Sequence, residues 1–405
     1  MSFYEKFSYI LIFCELWYNK TAKPKACVDS NHKFATINFM IYKIRHGQCE
    51  NRYCEESNMP NYHDQKNIEN TNRLREIVNE LPKFCATYFR GIEPTTSSLT
   101  RIAYAYDLRI FFKFLQESNP VFKTTPIRNM EVKLLDEIEA MDIEEYLEYL
   151  TFYENGEVKY INSEKGKKRK LISLRSMYNY FYKKEMISKN PAALVDIPKL
   201  HEKEITRLDV DEIAKLLDYV EFGGNMTATQ KKYHEKNKCR DLAIITLLLG
   251  TGIRVSECVG LDSTDVDFNN DGIKIRRKGG SESIIYFGEE VRDALENYIQ
   301  EREQIVTCEG HEEALFLSMQ KRRISVKSIE NLVKKYSEQV TKLKNITPHK
   351  LRSTYGTSLY RETGDIYLVA DVLGHKDVNT TKKHYAAIED SRRRSAANKV
   401  KLRGE

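Results

Sequence analysis

Apolar positions recur at helical spacing through the first half of the chain. From residue 96 to 117 they return every three or four residues, which predicts an amphipathic helix with an apolar stripe of Leu99, Ile102, Tyr106, Ile110 and Phe114. The stretch 70–91 has the same character, with a break at Pro82. A third amphipathic stretch follows residue 170, and it should end at Asn190 because the residue before a proline disfavours helix.

The second half begins after a connector, 191–208, whose prolines and polar residues mark a domain boundary. A helix is predicted from Asp209 to Val220, and the polar stretch 221–238 is interpreted as a loop. The next segment, Asp241–Gly250, is apolar on every side and therefore predicts a buried helix.

Two β-prone runs, 273–278 and 283–287, flank Gly279-Gly280 and predict a hairpin. From Glu289 onward the pattern is again mostly helical. The chain is therefore predicted to be mainly α with a small β-sheet or hairpin.

Composition places this chain among ordinary globular proteins. Its 405 residues are 41% hydrophobic and 31% charged. No apolar run approaches the roughly 20 residues that a bilayer requires, so no membrane association is expected. The eight cysteines come without a persuasive signal peptide, so we expect reduced thiols and a cytoplasmic location.

Residues 1–58 differ from the rest and are interpreted as an N-terminal extension of uncertain role. They contain Cys27, His32, His46, Cys49 and Cys54, which could form a zinc site. Their intervals match no common Cys-x2-Cys pattern, so no metal is predicted.

The net charge of +6 hides larger opposing blocks. Residues 131–157 are strongly acidic, whereas 156–190 are strongly basic. Clustered positive charge favours DNA phosphates. The candidate DNA contacts in the basic block are Lys167, Lys168, Arg169, Lys170 and Arg175.

Four motifs in the second half place polar residues where packing does not require them. They are GTGIRVSE at 250–257, RKGGSES at 277–283, PHKLRSTYGT at 348–357 and LGHKDVNTTKKHY at 373–385. In this order and at these separations they resemble the tyrosine recombinases, the phage integrase family. The resemblance covers about residues 203–390 for the catalytic domain.

A weaker resemblance, over 72–192, is to the family's helical, SAM-like core-binding domain. The resemblance assigns six catalytic positions, namely Arg254, Lys278, His349, Arg352, His375 and Tyr385. Glu257 falls at the family's acidic position and should orient the site. Lys278 stands where the lysine of a Gly-Lys-Gly motif falls, with Arg277 in place of the first glycine. A basic hairpin that only contacts backbone phosphate is the alternative for this segment.

These residue types suit phosphoryl transfer, which depends on positioning and charge stabilisation. Arg254 and Arg352 can hold the non-bridging oxygens in bidentate fashion, and His349 lies one helical turn from Arg352. The resemblance implies that Lys278 protonates the leaving 5′ oxygen and that Tyr385 is the nucleophile. A covalent phosphotyrosine conserves the bond energy, so neither metal nor ATP nor another cofactor is expected.

The resemblance implies a site-specific recombinase that cleaves and rejoins double-stranded DNA, and we expect the integrase of a mobile element or prophage. It further implies a homotetramer on paired DNA sites, with a DNA-bending accessory protein as a further candidate partner. The basic tail 391–405 either docks onto a neighbouring subunit or is solvated. The alternatives are a housekeeping recombinase that resolves chromosome dimers and a non-catalytic DNA-binding protein of the same fold.

Overall fold

The computed structural model describes residues 61–118, 120, 122–199, 206–224, 226–277, 280–375 and 378. The predictions made for residues 1–58 and for the tail 391–405 lie outside this range. No helix among the described residues is both long and apolar enough to cross a membrane.

From residue 61 onward, the described residues of the first part of the chain form five α-helices and one hairpin. In chain order these are α1 (Tyr62–Glu80), α2 (Phe84–Gly91), α3 (Ser98–Ser118), α4 (Ala140–Tyr149), β1 (Phe152–Asn155), β2 (Val158–Ile161) and α5 (Glu164–Lys183). The break at Pro82 is confirmed, since it lies between α1 and α2. The predicted end of α5 at Asn190 was wrong, because the helix stops seven residues earlier. The antiparallel pair β1–β2 had no clear signal in the sequence.

One hydrophobic core joins these helices and is rich in aromatic side chains. The stripe predicted on α3 supplies Ile102 and Phe114 to it, but Leu99 is 66% exposed. Leu99 lies in the first turn of the helix and faces solvent, so its place in the buried stripe was wrong. The largest fully buried side chains of this core are Tyr88, Phe111, Phe112, Phe122, Tyr146, Tyr178 and Phe181.

A buried ionic cluster links α3 to α5 inside this core. Asp107 of α3 is almost fully buried, and its Oδ2 accepts a hydrogen bond from Arg169 Nη1 at 2.6 Å. The Lys170 ammonium lies 4.0 Å from the other carboxylate oxygen and donates to Asn162 Oδ1 at 2.8 Å. Burial raises the pKa of the Asp107 carboxyl to about 6, although Arg169 and Lys170 both pull it down.

The second part contains eight α-helices and a small sheet among its described residues. They are α6 (Val210–Phe222), α7 (Ala228–Glu235), α8 (Lys238–Thr251), α9 (Val255–Gly260), β3 (Val266–Asp267), β4 (Gly272–Arg276), β5 (Glu282–Tyr286), α10 (Glu289–Arg302), α11 (Val326–Val340), α12 (Pro348–Thr363) and α13 (Ile366–Leu373). The sheet is antiparallel in the order β3-β4-β5. It contains the predicted hairpin, β4–β5, extended by the short strand β3. The mainly α prediction with a small sheet is confirmed.

The interpretation of 221–238 as a loop was wrong, because α7 forms within it. The helix begins with a capping box, in which Thr227 Oγ1 accepts from the Gln230 amide and Gln230 Oε1 accepts from the Thr227 amide. Such reciprocal bonds satisfy two amides at the helix start. His234 of α7 is buried and contacts Tyr336 Oη at 3.3 Å through Nδ1.

Helix α8 is the centre of a second hydrophobic core. Its residues Ala243, Ile244, Ile245, Leu247 and Leu248 have no exposed surface, as the all-apolar pattern predicts. The helix ends at Gly252, which has left-handed backbone angles. The buried helix therefore fixes the position of the first of the four motifs, which starts at the C-terminal end of α8.

Replacing Asp107 with Asn should change how stability depends on pH. The folded chain retains the Asp107 proton up to about pH 6, whereas the unfolded carboxyl has a pKa of 3.8. The wild type should therefore lose stability relative to Asp107→Asn as pH rises from about 4 to about 6, by up to about 3 kcal/mol, and then remain level. Urea unfolding of both proteins across this range measures the difference.

Glu80→Gln is the matched control, because Glu80 forms an exposed ion pair with Arg109 at 2.8 Å. It should show little of this pH dependence, since exposed pairs contribute weakly. The wild type could instead gain stability over Asp107→Asn as pH rises from about 4 to about 6. In that case attraction to Arg169 and Lys170 lowers the pKa of Asp107 more than burial raises it, and the explanation is wrong.

Candidate active site

Three arginines meet at the C-terminal end of α13. A helix end leaves its last carbonyls without helical partners, and here each of three successive carbonyls accepts from a different arginine. Arg277 Nη2 donates to Val372 O at 3.1 Å, and Arg254 Nη2 donates to Gly374 O at 3.3 Å. Between them, Arg352 Nη2 donates to Leu373 O. We call Arg254, Arg277 and Arg352 the arginine cluster.

Arg254 is held by the helix that follows it. It precedes α9, and its amide donates to Glu257 Oε2 at 2.7 Å while its Nη1 donates to Glu257 Oε1 at 2.8 Å. The Glu257 carboxylate is buried, whereas the Arg254 side chain is 36% exposed. Glu257 thus orients a guanidinium that still reaches the surface.

Arg352 lies in the second turn of α12 and is 5% exposed. Its Nη1 donates to Gly252 O at 2.6 Å, so it connects the end of α8 with the end of α13. Thr354, two residues on, accepts from the Leu208 amide at 3.0 Å and ties the start of the second core to the same helix. The position of Arg352 therefore depends on three separate segments.

Two glycines allow the segments to approach this closely. Gly252 and Gly374 both have positive φ, +63° and +60°. A Cβ at Gly252 would lie 2.4 Å from Tyr355 Cδ1, and one at Gly374 would overlap the Arg277 guanidinium. Side chains are thus excluded at both positions by backbone angle and by space.

The two histidines lie on separate elements. His349 is exposed in the first turn of α12, one turn before Arg352. His375 follows Gly374 in the turn after α13, where its amide donates to Ala370 O at 2.9 Å. Lys278 and Tyr385 lie outside the described residues, so their catalytic roles stay predictions.

Among the other tyrosines of this region, Tyr355 packs against Gly252. Burial raises the pKa of its phenol, which makes the nucleophilic phenolate harder to form. This burial favours a core role for Tyr355.

Sequence reasoning missed Arg277, which it noted only as a departure from a Gly-Lys-Gly pattern. The replacement itself could have indicated a role for Arg277. A long charged side chain at a glycine position requires a nearby hydrogen-bonding partner. Among the residues described, no group of three or more His, Cys, Asp or Glu side chains is arranged to hold a metal ion.

The predicted DNA contacts divide into two groups. Lys170 is buried in the cluster with Asp107, and Arg175 donates to the carbonyls of Ala192, at 2.8 Å, and Val195. Both side chains therefore connect segments of the first core; Lys170 is buried and Arg175 is partly buried. The other three, Lys167, Lys168 and Arg169, lie at least partly exposed on the first turn and a half of α5.

A cluster of guanidinium groups can bind the oxygens of a phosphodiester bidentately. Together with histidine donors it can stabilise the charge that develops during phosphoryl transfer.

The phage integrase family matches this sequence over residues 206–392. Among curated proteins, the chain is 35% identical over 326 residues to tyrosine recombinase XerC of Caldanaerobacter subterraneus subsp. tengcongensis, covering 78% of this chain and 86% of that protein. It is 30% identical over 352 residues to tyrosine recombinase XerS of Streptococcus thermophilus, covering 80% and 98% respectively.

Solved structures share the fold. A post-cleavage complex of the XerH site-specific recombinase with palindromic difH DNA superposes with a TM-score of 0.58 at 22% identity, covering 81% of this chain and 88% of that one. The Tn1549 transposon integrase in complex with circular intermediate DNA gives 0.53 at 21% identity, covering 75% and 95%.

The match to the phage integrase family and the identity to curated tyrosine recombinases define a DNA strand-exchange enzyme. The extent of identity to its curated relatives then fixes the family. The chain belongs to the phage integrase family, the tyrosine recombinases.

Replacing Gly374 with Ala should slow DNA cleavage. The added methyl group would displace the Arg277 guanidinium and disturb the turn that carries His375. We expect cleavage to fall by about 100-fold, the scale of a misplacement of about 1 Å, with DNA affinity nearly unchanged. The measurement is the rate at which a nicked suicide substrate forms a covalent protein–DNA complex.

Gly310→Ala supplies the matched control. Gly310 also has positive φ, +79°, but nothing lies within 4 Å of a Cβ built there. It should cost stability through backbone strain and leave the cleavage rate intact. Equal rates for Gly374→Ala and Gly310→Ala would show that the close approach at Gly374 does not matter.

Proposed function

We propose that this recombinase cleaves one DNA strand at a time with Tyr385 and rejoins it to a partner strand. The phenol oxygen of Tyr385 forms a bond to the scissile phosphorus while the bond to the 5′ oxygen breaks, leaving a 3′-phosphotyrosine. Lys278 gives the leaving oxygen its proton, and His349 exchanges the proton of the phenol. Rejoining is the same step in reverse with a 5′ hydroxyl from the partner strand.

The observation that carries the proposal is the convergence of Arg254 and Arg352 on adjacent carbonyls. Carbonyl oxygens and phosphate oxygens are both hydrogen-bond acceptors. The guanidinium groups that donate to Leu373 O and Gly374 O are therefore already close together, where a phosphate could accept from both. Charge stabilisation by groups held in advance contributes most to such reactions. His375, next to Gly374, is then a further donor to the phosphate.

We propose that the two hydrophobic cores are separate domains that close around duplex DNA. This keeps the predicted division into a core-binding domain, 72–192, and a catalytic domain, 203–390. The basic start of α5 would face phosphates through Lys167, Lys168 and Arg169, without Lys170 and Arg175. We further propose a homotetramer on paired sites, acting in the cytoplasm, with an accessory DNA-bending protein as an optional partner.

For the biological role we propose the integrase of a mobile element, and a transposon integrase shares the fold. The second candidate is a housekeeping recombinase acting on the chromosome. It is favoured by the names of the relatives at 35% and 30% identity, which are XerC and XerS. The DNA recovered from covalent complexes in the host distinguishes them, since it would carry element ends in one case and a single chromosomal site in the other.

Changing Tyr385 to Phe should abolish the covalent complex, because the substitution removes the nucleophilic oxygen and little else. Wild-type protein on nicked DNA carrying its recombination site should accumulate the complex, visible as a shifted band in a denaturing gel. DNA binding by Tyr385→Phe should remain at the wild-type level.

Tyr367→Phe is the matched control, since Tyr367 is 71% exposed on α13 and close in sequence. It should form the complex normally. A complex formed by Tyr385→Phe would assign the nucleophile to another residue, and DNA bound without any complex by the wild type would favour a non-catalytic binding protein.

Neutralising the start of α5 should reduce the salt dependence of DNA binding. Each phosphate contact contributes about 0.9 to the slope of log affinity against log salt, so a Lys167→Ala/Lys168→Ala variant should lose about 2 units of slope. Fluorescence anisotropy with labelled duplex at several salt concentrations measures it. Lys334→Ala is the control, since Lys334 is an exposed lysine on α11, and it should leave the slope unchanged. If the double variant has the wild-type slope, the start of α5 is not part of the DNA interface.

A further inference from the structure

Arg277 joins two parts of the site that the sequence separates by almost a hundred residues. It stands at the end of β4, where its amide donates to Ser281 O at 2.8 Å and its carbonyl accepts from the Gly280 amide at 3.0 Å. Its backbone therefore closes the turn of the β4–β5 hairpin. Its side chain crosses to α13 and donates to Val372 O at 3.1 Å.

The direction of the guanidinium is fixed on both sides. Nε donates to Ser283 Oγ at 3.1 Å, on the opposite strand of the same hairpin. The other face lies so close to Gly374 that any side chain there would overlap it. One planar group thus contacts β5, the Val372 carbonyl of α13 and the turn that leads to His375.

We propose that Arg277 is a positioning residue that sets where Lys278 acts. This inference rests on the proposed function, in which Lys278 protonates the leaving oxygen. Consecutive Cα atoms are about 3.8 Å apart, so anchoring Arg277 to α13 limits the range of the residue that follows it. Arg277 itself is bonded to the same helix end that Arg254 and Arg352 contact.

The arrangement separates this role from phosphate binding. Arg254 is oriented by Glu257, and Arg352 by Gly252 O and Leu373 O, contacts in which Arg277 takes no part. Loss of the Arg277 side chain should release the hairpin from α13 and leave those two arginines in place. The expected defect is in proton delivery to the 5′ oxygen, with DNA binding preserved.

Arg277→Ala should therefore cleave an ordinary nicked substrate about 10- to 100-fold more slowly than wild type at saturating DNA. A second substrate carries sulfur in place of the bridging 5′ oxygen. Its thiolate leaves without a proton, because thiols are far more acidic than alcohols. On this substrate Arg277→Ala should react at close to the wild-type rate, which also demonstrates that the variant is folded.

Arg276→Ala is the matched control, since it removes the same charge one position earlier from an exposed side chain. It should cleave both substrates like the wild type. Arg277→Lys keeps the charge but lacks the planar group that bonds Ser283 and Val372 together, so it should be slow on the oxygen substrate and rescued by sulfur.

Equal slowing of Arg277→Ala on both substrates, or wild-type rates on both, would overturn the inference. A failure of the proposed function would look different, because the wild type itself would then form no covalent complex on either substrate.

Discussion

The C-terminal end of α13 is the feature on which the site depends. Its last carbonyls carry partial negative charge and have no helical partners. Each is bonded by an arginine from a different segment, namely the hairpin, α12 and the start of α9. Three positive side chains would repel one another without these acceptors, so the helix end makes the arginine cluster possible.

The same contacts explain why the surrounding fold is built as it is. Helix α8 is buried along most of its length, and this holds its end at Gly252, where the carbonyl accepts from Arg352. Gly374 must lack a side chain so that Arg277 can lie against the backbone. The Glu257 carboxylate is buried and binds Arg254. This contact keeps the Arg254 guanidinium oriented at the surface. Packing in the second core is thus directly connected with the position of the arginine cluster.

Much of this could be predicted from the sequence, for identifiable reasons. The helical stripe of α3 and the apolar α8 follow from periodicity, and the order of the four motifs indicated both the family and the arginines Arg254 and Arg352. Other features depend on contacts between distant segments. Lys170 lies in a basic run and was therefore predicted to contact DNA. Its partners, Asp107 and Asn162, lie outside α5, so the sequence pattern did not indicate them. Arg277 could be read only as a departure from a motif, because its acceptor is Val372.

The most direct test of the account is to identify the residue that carries the DNA. Wild-type protein trapped on a suicide substrate is digested with protease and nuclease, and the peptide bearing a nucleotide is sequenced by mass spectrometry. We predict a 3′-phosphate joined to the Tyr385 oxygen. A nucleotide on another residue, such as Tyr355 or Tyr367, would contradict it, as would the recovery of bound DNA with no modified peptide.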